Sequence, residues 1–157
     1  MVFNSLTYLI LLTSVVTLFW CISYNLRFYL IFLSSLIFYG FWKIEFIPLL
    51  LFSTILDWWV AFKIVNSKNK KKKIFLLISL IINLGILFIF KYLIFFTENS
   101  IGLLNLFNAK IDPIILKIIL PLGISFYTFQ TISYTVDVYR GTIKPENNFI
   151  VYACYVT

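Results

Sequence analysis

Apolar residues fall into five long blocks, at positions 6–24, 28–42, 46–62, 74–90 and 114–138, the fourth with an apolar continuation to residue 96. Short polar interruptions at 25–27 and 43–45, a lysine-rich stretch at 63–73 and a mixed segment at 98–112 separate them. A helical block of about 19 residues rises ~28 Å, close to the hydrocarbon thickness of a bilayer. The pattern therefore predicts membrane helices, with the first block the best match in length. The second and third blocks are shorter, which predicts that they borrow interfacial residues, cross thinned bilayer or pack as a helical pair without full crossing. The fold class predicted is an all-α polytopic membrane protein with about five transmembrane or membrane-embedded helices.

Punctuation refines the last two blocks. In segment 98–112, Ile101, Leu104 and Phe107 alternate with polar residues, a pattern that suits an interfacial helix and equally a connecting loop. Asp112 and Pro113 read as an N-cap and first helical residue, and Pro121 then interrupts the backbone ladder, predicting a kink or a restart. From 122 to 139 nothing breaks a helix. Arg140 places a cation in the last turn, and Gly141 can take the left-handed conformation that ends one.

Composition agrees with the pattern. The chain of 157 residues is 62% hydrophobic and 12% charged, with a mean hydropathy of +0.99, too little polar surface to cover a water-soluble globule. The net charge of +7 does not indicate nucleic acid, because six of the thirteen basic residues crowd into 63–73 with no basic groove interleaved with exposed aromatics. Those lysines instead predict a cytoplasmic loop under the positive-inside rule. Alternating outward and inward from that loop places the N-terminus outside. Arg27, Lys63, Lys68, Lys70, Lys71, Lys72, Lys73, Arg140 and Lys144 then lie inside, with Lys43, Lys91, Lys110 and Lys117 outside. No Lys or Arg precedes the first block and no small-residue cleavage site follows it, so it reads as a retained span.

Candidate chemistry is sparse. There is no histidine, and Cys21 and Cys154 are far apart in apolar runs, so no imidazole base, disulfide framework or metal site is indicated within these residues. No nucleotide-binding loop and no nucleophile paired with a base is present either, so the sequence names no catalytic residue. What remains is polar groups inside apolar blocks. Gln130, Ser133, Tyr134 and Asp137 recur at i, i+3, i+4 and i+7, one face of a helix that should meet other helices or a wet cavity. An Asp137–Arg140 ion pair would lower the cost of the carboxylate, and polar glue between helices remains an open reading of the whole stripe. Asp57, inside the third block, costs about 2.5–3.5 kcal/mol near a bilayer centre unless it is paired, protonated or facing a cavity. Asn83 reads most simply as a bond to a neighbouring helix.

Three stretches carry a resemblance: MVFNSLTYLI at the start, NLGILFIFKYLIFF at 83–96, and LPLGISFYTFQTISYTVDVYRG at 120–141 with KPENNF after it. Together they resemble the amino-terminal part of the membrane-bound O-acyltransferase family, in the bacterial branch that contains alginate O-acetyltransferase and the D-alanyl transferase of teichoic acid. Pro121, Gly123, Ser125, Phe126, Gln130, Tyr134, Asp137, Tyr139, Arg140 and Gly141 fall where that family has the same or similar residues. The resemblance implies a multi-pass protein of the bacterial inner (plasma) membrane. It also implies an acyl thioester donor on the cytoplasmic side, with no cofactor held permanently. The acyl group would pass to hydroxyls of a cell-envelope polysaccharide outside, through a periplasmic or extracellular acyltransferase partner. Family members are much longer and carry a catalytic histidine in a later membrane segment, so residues 1–157 read as the amino-terminal part of such a membrane domain without its catalytic segment. On this reading Gln130, Ser133, Tyr134 and Asp137 are scaffold or cavity-lining groups, and Pro121, Gly123, Arg140 and Gly141 are helix-stop and family-motif positions. D-alanyl transfer and a non-enzymatic membrane interaction protein left by truncation are the alternatives, with a channel or transporter as a lesser one.

Overall fold

A computed structural model describes residues 6–106 and 121–157, and among these every regular element is helical. Helix α1 (Leu6–Cys21) is followed after two residues by α2 (Tyr24–Lys43), and a single 3-10 turn (Ile44–Phe46) leads into α3 (Ile47–Val65). Then come α4 (Asn69–Leu106), α5 (Ile124–Arg140) and a short α6 (Phe149–Val156).

Among the described residues two stretches are long and apolar enough to cross a membrane, Tyr24–Val65, which takes in α2 and α3, and Lys70–Tyr92 within α4, whereas α1, from the block expected to match best, is shorter at 16 residues. Helices α2 and α3 outrun the apolar blocks that announce them because the polar interruptions join the helices. Arg27 lies in the second turn of α2, its guanidinium 4.7 Å from the centre of the Phe19 ring and 5.8 Å from that of Trp20, which spares the cation an apolar neighbourhood without contacts. Twenty residues of α2 rise ~30 Å, so its length matches a bilayer after all.

The segment from residue 98 differs from both sequence readings. Residues 98–106 continue α4, which at 38 residues is ~57 Å long, and form neither a separate interfacial helix nor a loop. No Gly or Pro stands between Leu87 and Leu106 except Gly102, so the ladder has little reason to end. The rest of that segment, with Asp112 and Pro113, lies outside the described residues. At Pro121 the chain restarts: residues 121–123 are not helical, Gly123 sits at φ 69°, and α5 begins at Ile124.

Helices α3, α4 and α5 pack mutually, α6 docks against α2, α3 and α5, and α1 lies on α2. Polar and apolar side chains share the packing between these three helices, Leu50, Val60, Ile64 and Ile124 among the apolar ones. Ser53, Thr54 and Asp57 of α3, Ser79 and Asn83 of α4, and Thr128, Thr131 and Thr135 of α5 are all buried, while leucines, isoleucines and phenylalanines dominate the outward faces. Buried small polar residues with apolar outward faces suit a lipid surround, where small residues let backbones approach and hydroxyls find partners inside. Thr54 Oγ1 donates to Leu50 O at 2.7 Å and Thr135 Oγ1 to Thr131 O at 2.9 Å, so these hydroxyls are satisfied within their own helices.

Candidate functional site: the α5–α6 hairpin

The hairpin is built by local chemistry first. At the end of α5, Gly141 adopts φ 77°, its N–H donates to Val138 O at 3.1 Å, and Thr142 N–H donates to Asp137 O at 3.0 Å. These two bonds close a Schellman motif and turn the chain back. Asn148 then caps α6, its Oδ1 accepting from Ile150 N–H at 2.9 Å. Between the two caps Glu146 is pinned by its backbone: Trp58 Nε1–H of α3 donates to its carbonyl at 2.8 Å, and its own N–H donates to Tyr134 Oη at 2.9 Å. Phe149 completes the dock, with its ring centre 5.5 Å from that of Trp58 and 6.5 Å from that of Phe32.

Two cavities flank α6. One, of about 340 Å3, is lined by Tyr134, Asp137, Lys144, Glu146, Tyr152 and Tyr155, among others. The other, of about 410 Å3, lies between α2, α5 and α6, and Tyr39, Tyr127, Gln130 and Tyr155 contribute its polar lining. Tyr155 lines both.

The four stripe residues take different places. Gln130 Nε2 donates to Tyr155 O, while its Oε1 is buried with no partner among the described residues. Tyr134 is buried against Tyr152, ring centres 4.5 Å apart, and accepts from Glu146. Asp137 is half-buried on the smaller cavity. Ser133 is exposed and lines neither cavity. Pro121 is buried and Arg140 exposed. Asp137 and Arg140 are not within 4.0 Å of each other; the ion pair found among the described residues is Lys43–Glu45, at 3.7 Å. Asp137 instead shares the lining of the smaller cavity with Lys144.

A second centre lies behind the hairpin. Asp57, with none of its surface exposed, accepts from Ser79 Oγ at 2.5 Å and from Asn83 Nδ2 at 3.0 and 2.8 Å on its two oxygens. Asn83 thus bonds a neighbouring helix, as the sequence suggests, and Asp57 is paired without a cation. Tyr152 of α6 is also buried, and its hydroxyl has no partner among the described residues. Sequence reasoning did not single out Tyr152, Tyr155, Trp58 or Glu146 as site residues. The signal available was the spacing of Tyr152 and Tyr155 at i and i+3 in an apolar octet, with Asn148 as its cap. Among the described residues no group of His, Cys, Asp or Glu could hold a metal ion.

No family model matches the chain, and no solved structure matches it. Curated proteins do. The chain is 32% identical over 160 residues, 99% of its length, to the protein of Pseudomonas aeruginosa named "Probable alginate O-acetylase AlgI", and 33% identical over the same share to its namesake in Pseudomonas putida. It is 40% identical over 111 residues, 69% of its length, to the "Peptidoglycan O-acetyltransferase" of Helicobacter pylori. The chain spans 30% of the P. aeruginosa protein, 33% of the P. putida protein and 20% of the H. pylori protein.

Proposed function

Because this chain belongs, by a relationship that runs along 99% of its length, with the alginate O-acetylase-like members of the membrane-bound O-acyltransferase family, we propose that it forms part of an enzyme that O-acetylates a cell-envelope polysaccharide. The observation that carries this reading is the named O-acetylating relatives on two different polymers, alginate and peptidoglycan. Their names differ in acceptor and agree in the group transferred, so acetyl transfer is favoured over D-alanyl transfer.

In this proposal the chain is a multi-pass segment of the bacterial plasma membrane with its N-terminus outside. An acyl thioester approaches from the cytoplasmic side, and the acceptor hydroxyl is presented on the other side by a separate acyltransferase partner. An ester forms at the acceptor hydroxyl as the thioester bond breaks, and the hydroxyl proton passes by way of a base to the departing thiolate, which leaves as the thiol. The chain holds no histidine, and on this reading an imidazole base is supplied from outside these 157 residues. What this chain contributes is the wall: Gln130, Tyr134 and Asp137 line the two cavities beside α6. Gln130 Oε1, buried and without a partner among the described residues, leaves an acceptor on that wall.

The test replaces Gln130→Leu and Asp137→Leu in the protein as the cell makes it, and measures ester-linked acetate on envelope polysaccharide with the membrane level of the protein controlled. Acetate should fall by at least about tenfold for Gln130→Leu, in keeping with lost positioning. If both variants keep full transfer and normal levels, the cavity-wall role is wrong. D-alanine in place of acetate in the product would move the assignment to the other branch. Transfer by the purified 157-residue chain from an acetyl thioester would overturn the placing of the base outside it.

A further inference from the structure

The lysine cluster plays no part in the proposed acyl transfer. Lys68, Lys70, Lys71 and Lys72, with Asn66 and Ser67, line an open concavity of about 960 Å3 where α3 ends and α4 begins. Among the described residues none of these lysines lies within 4.0 Å of a carboxylate, and the first turn of α4 carries no acid. The positive end of the α4 dipole adds to the same charge. Four cations and a helix N-terminus therefore face one another uncompensated.

The lysines are not equivalent, because each residue of a helix is rotated about 100° from the last. Lys72 stands above Ser79 and Asn83, the face of α4 turned into the bundle, and is itself half-buried. Lys70 and Lys71 stand above the opposite face, and both are exposed. Below them, at Ile74, Leu77, Ile78 and Ile81, runs a stripe of exposed apolar side chains, Ile81 being 68% exposed. One helix face thus presents cations at its top and bare hydrocarbon beneath.

We propose that this face of α4 seats an anionic phospholipid, with its phosphate at Lys70 and Lys71 and an acyl chain along Ile74, Leu77, Ile78 and Ile81. The stretch of α4 long and apolar enough to cross a membrane begins at Lys70, which in this proposal sets these ammonium groups at the headgroup boundary. Half-exposed Trp59, whose ring centre is 5.2 Å from Lys63 Nζ, marks the same interfacial level on α3. From Lys71 to Ile81 the helix descends ~15 Å, about the depth of one leaflet's hydrocarbon. A soluble phosphate would use the lysines and leave the stripe idle. An acidic protein would meet lipid where the stripe begins. Phospholipid is the anion whose own shape carries charge and hydrocarbon in this order.

The test reconstitutes the chain in phosphatidylcholine bilayers and compares the motionally restricted fraction of spin-labelled phosphatidylglycerol with that of spin-labelled phosphatidylcholine. Phosphatidylglycerol should be preferred by about fivefold or more. The double variant Lys70→Gln/Lys71→Gln should bring the two lipids to parity, and Lys72→Gln should leave the preference in place, with helix content checked by circular dichroism for each. Equal association of the two lipids with the unaltered chain would overturn the proposal. So would a loss for Lys72→Gln as large as for the double variant, which would mean diffuse attraction without a seat. Displacement of the labelled lipid by millimolar inorganic phosphate would overturn it in favour of a soluble-phosphate site. None of these readouts depends on acyl transfer.

Discussion

Replacing Asp57 by leucine would leave Ser79 Oγ and Asn83 Nδ2 without their shared acceptor at a fully buried position. An orphaned buried donor costs about 1–3 kcal/mol, so Asp57→Leu should lower unfolding stability in micelles by that order. Asn83→Leu alone leaves the carboxylate short of two bonds and should do comparable harm. The double variant Asp57→Leu/Asn83→Leu removes donor and acceptor together, so its loss should be smaller than the sum. Strict additivity in thermal or denaturant unfolding would mean that the pair is not coupled. On α5, Ser133→Ala should change neither stability nor transfer appreciably, because the side chain is exposed and lines neither cavity. At this scale the sequence was readable where the question was which residues are out of place in hydrocarbon: Asp57, Asn83, Gln130 and Asp137 stand out by type alone. It was not readable where the question was what they face. Asp57 and Asn83 are 26 positions apart on different helices, and no local pattern joins them. On α5 the face turned into the bundle is set by Thr128, Thr131 and Thr135, roughly 140° around the helix from the Gln130–Asp137 stripe. Threonine is inconspicuous in an apolar block because its hydroxyl bonds its own helix.

Elements end where local chemistry ends them, and the α5 stop shows the strength of that rule. Gly141 at φ 77° has nothing within 4 Å of where a Cβ would stand, so the cost of Gly141→Ala is conformational and not a clash. About 1–2 kcal/mol is expected for an L-residue held left-handed. Because the same turn sets the approach of Glu146 to Trp58 and Tyr134, the loss should appear as early proteolysis between α5 and α6 before global unfolding. Unchanged protease resistance would separate the stop from the docking of α6. Asn148→Ala removes the cap of α6 and should cost about 1 kcal/mol, read by the same assay. The stop was legible because a cation followed by glycine acts on its own turn. Helix α6 was not, since an eight-residue apolar run has no period long enough to identify it and its partners Phe28, Phe32 and Trp58 lie on helices far upstream. The extension of α4 to Leu106 escaped notice for the opposite reason, polar residues 98–100 having the look of a boundary that the backbone ignores.

For the whole molecule, sidedness follows from two ends of one helix. Helix α3 has 19 residues and rises ~28 Å, nearly the ~30 Å of hydrocarbon, with Lys43 and Glu45 just before it and Lys63 in its last turn. Charge at those ends is unequal, because Glu45 offsets Lys43 while the lysines after Lys63 face no carboxylate among the described residues. The unbalanced end should therefore be held in the cytoplasm, which would put the lipid seat on the inner leaflet. Single cysteines at Glu45→Cys and Ser67→Cys, in a background with Cys21→Ser and Cys154→Ser, test this with a membrane-impermeant maleimide. Serine keeps a hydroxyl donor for the Phe28 carbonyl that Cys154 Sγ now meets at 3.1 Å, so the background should fold. Labelling from outside is expected at position 45 in intact spheroplasts, and at position 67 only after permeabilisation. The reverse result would invert the chain and move the thioester side to the opposite face. Labelling of both positions from one side would show that α3 does not cross, and would remove the separation of donor and acceptor on which transmembrane acyl transfer depends.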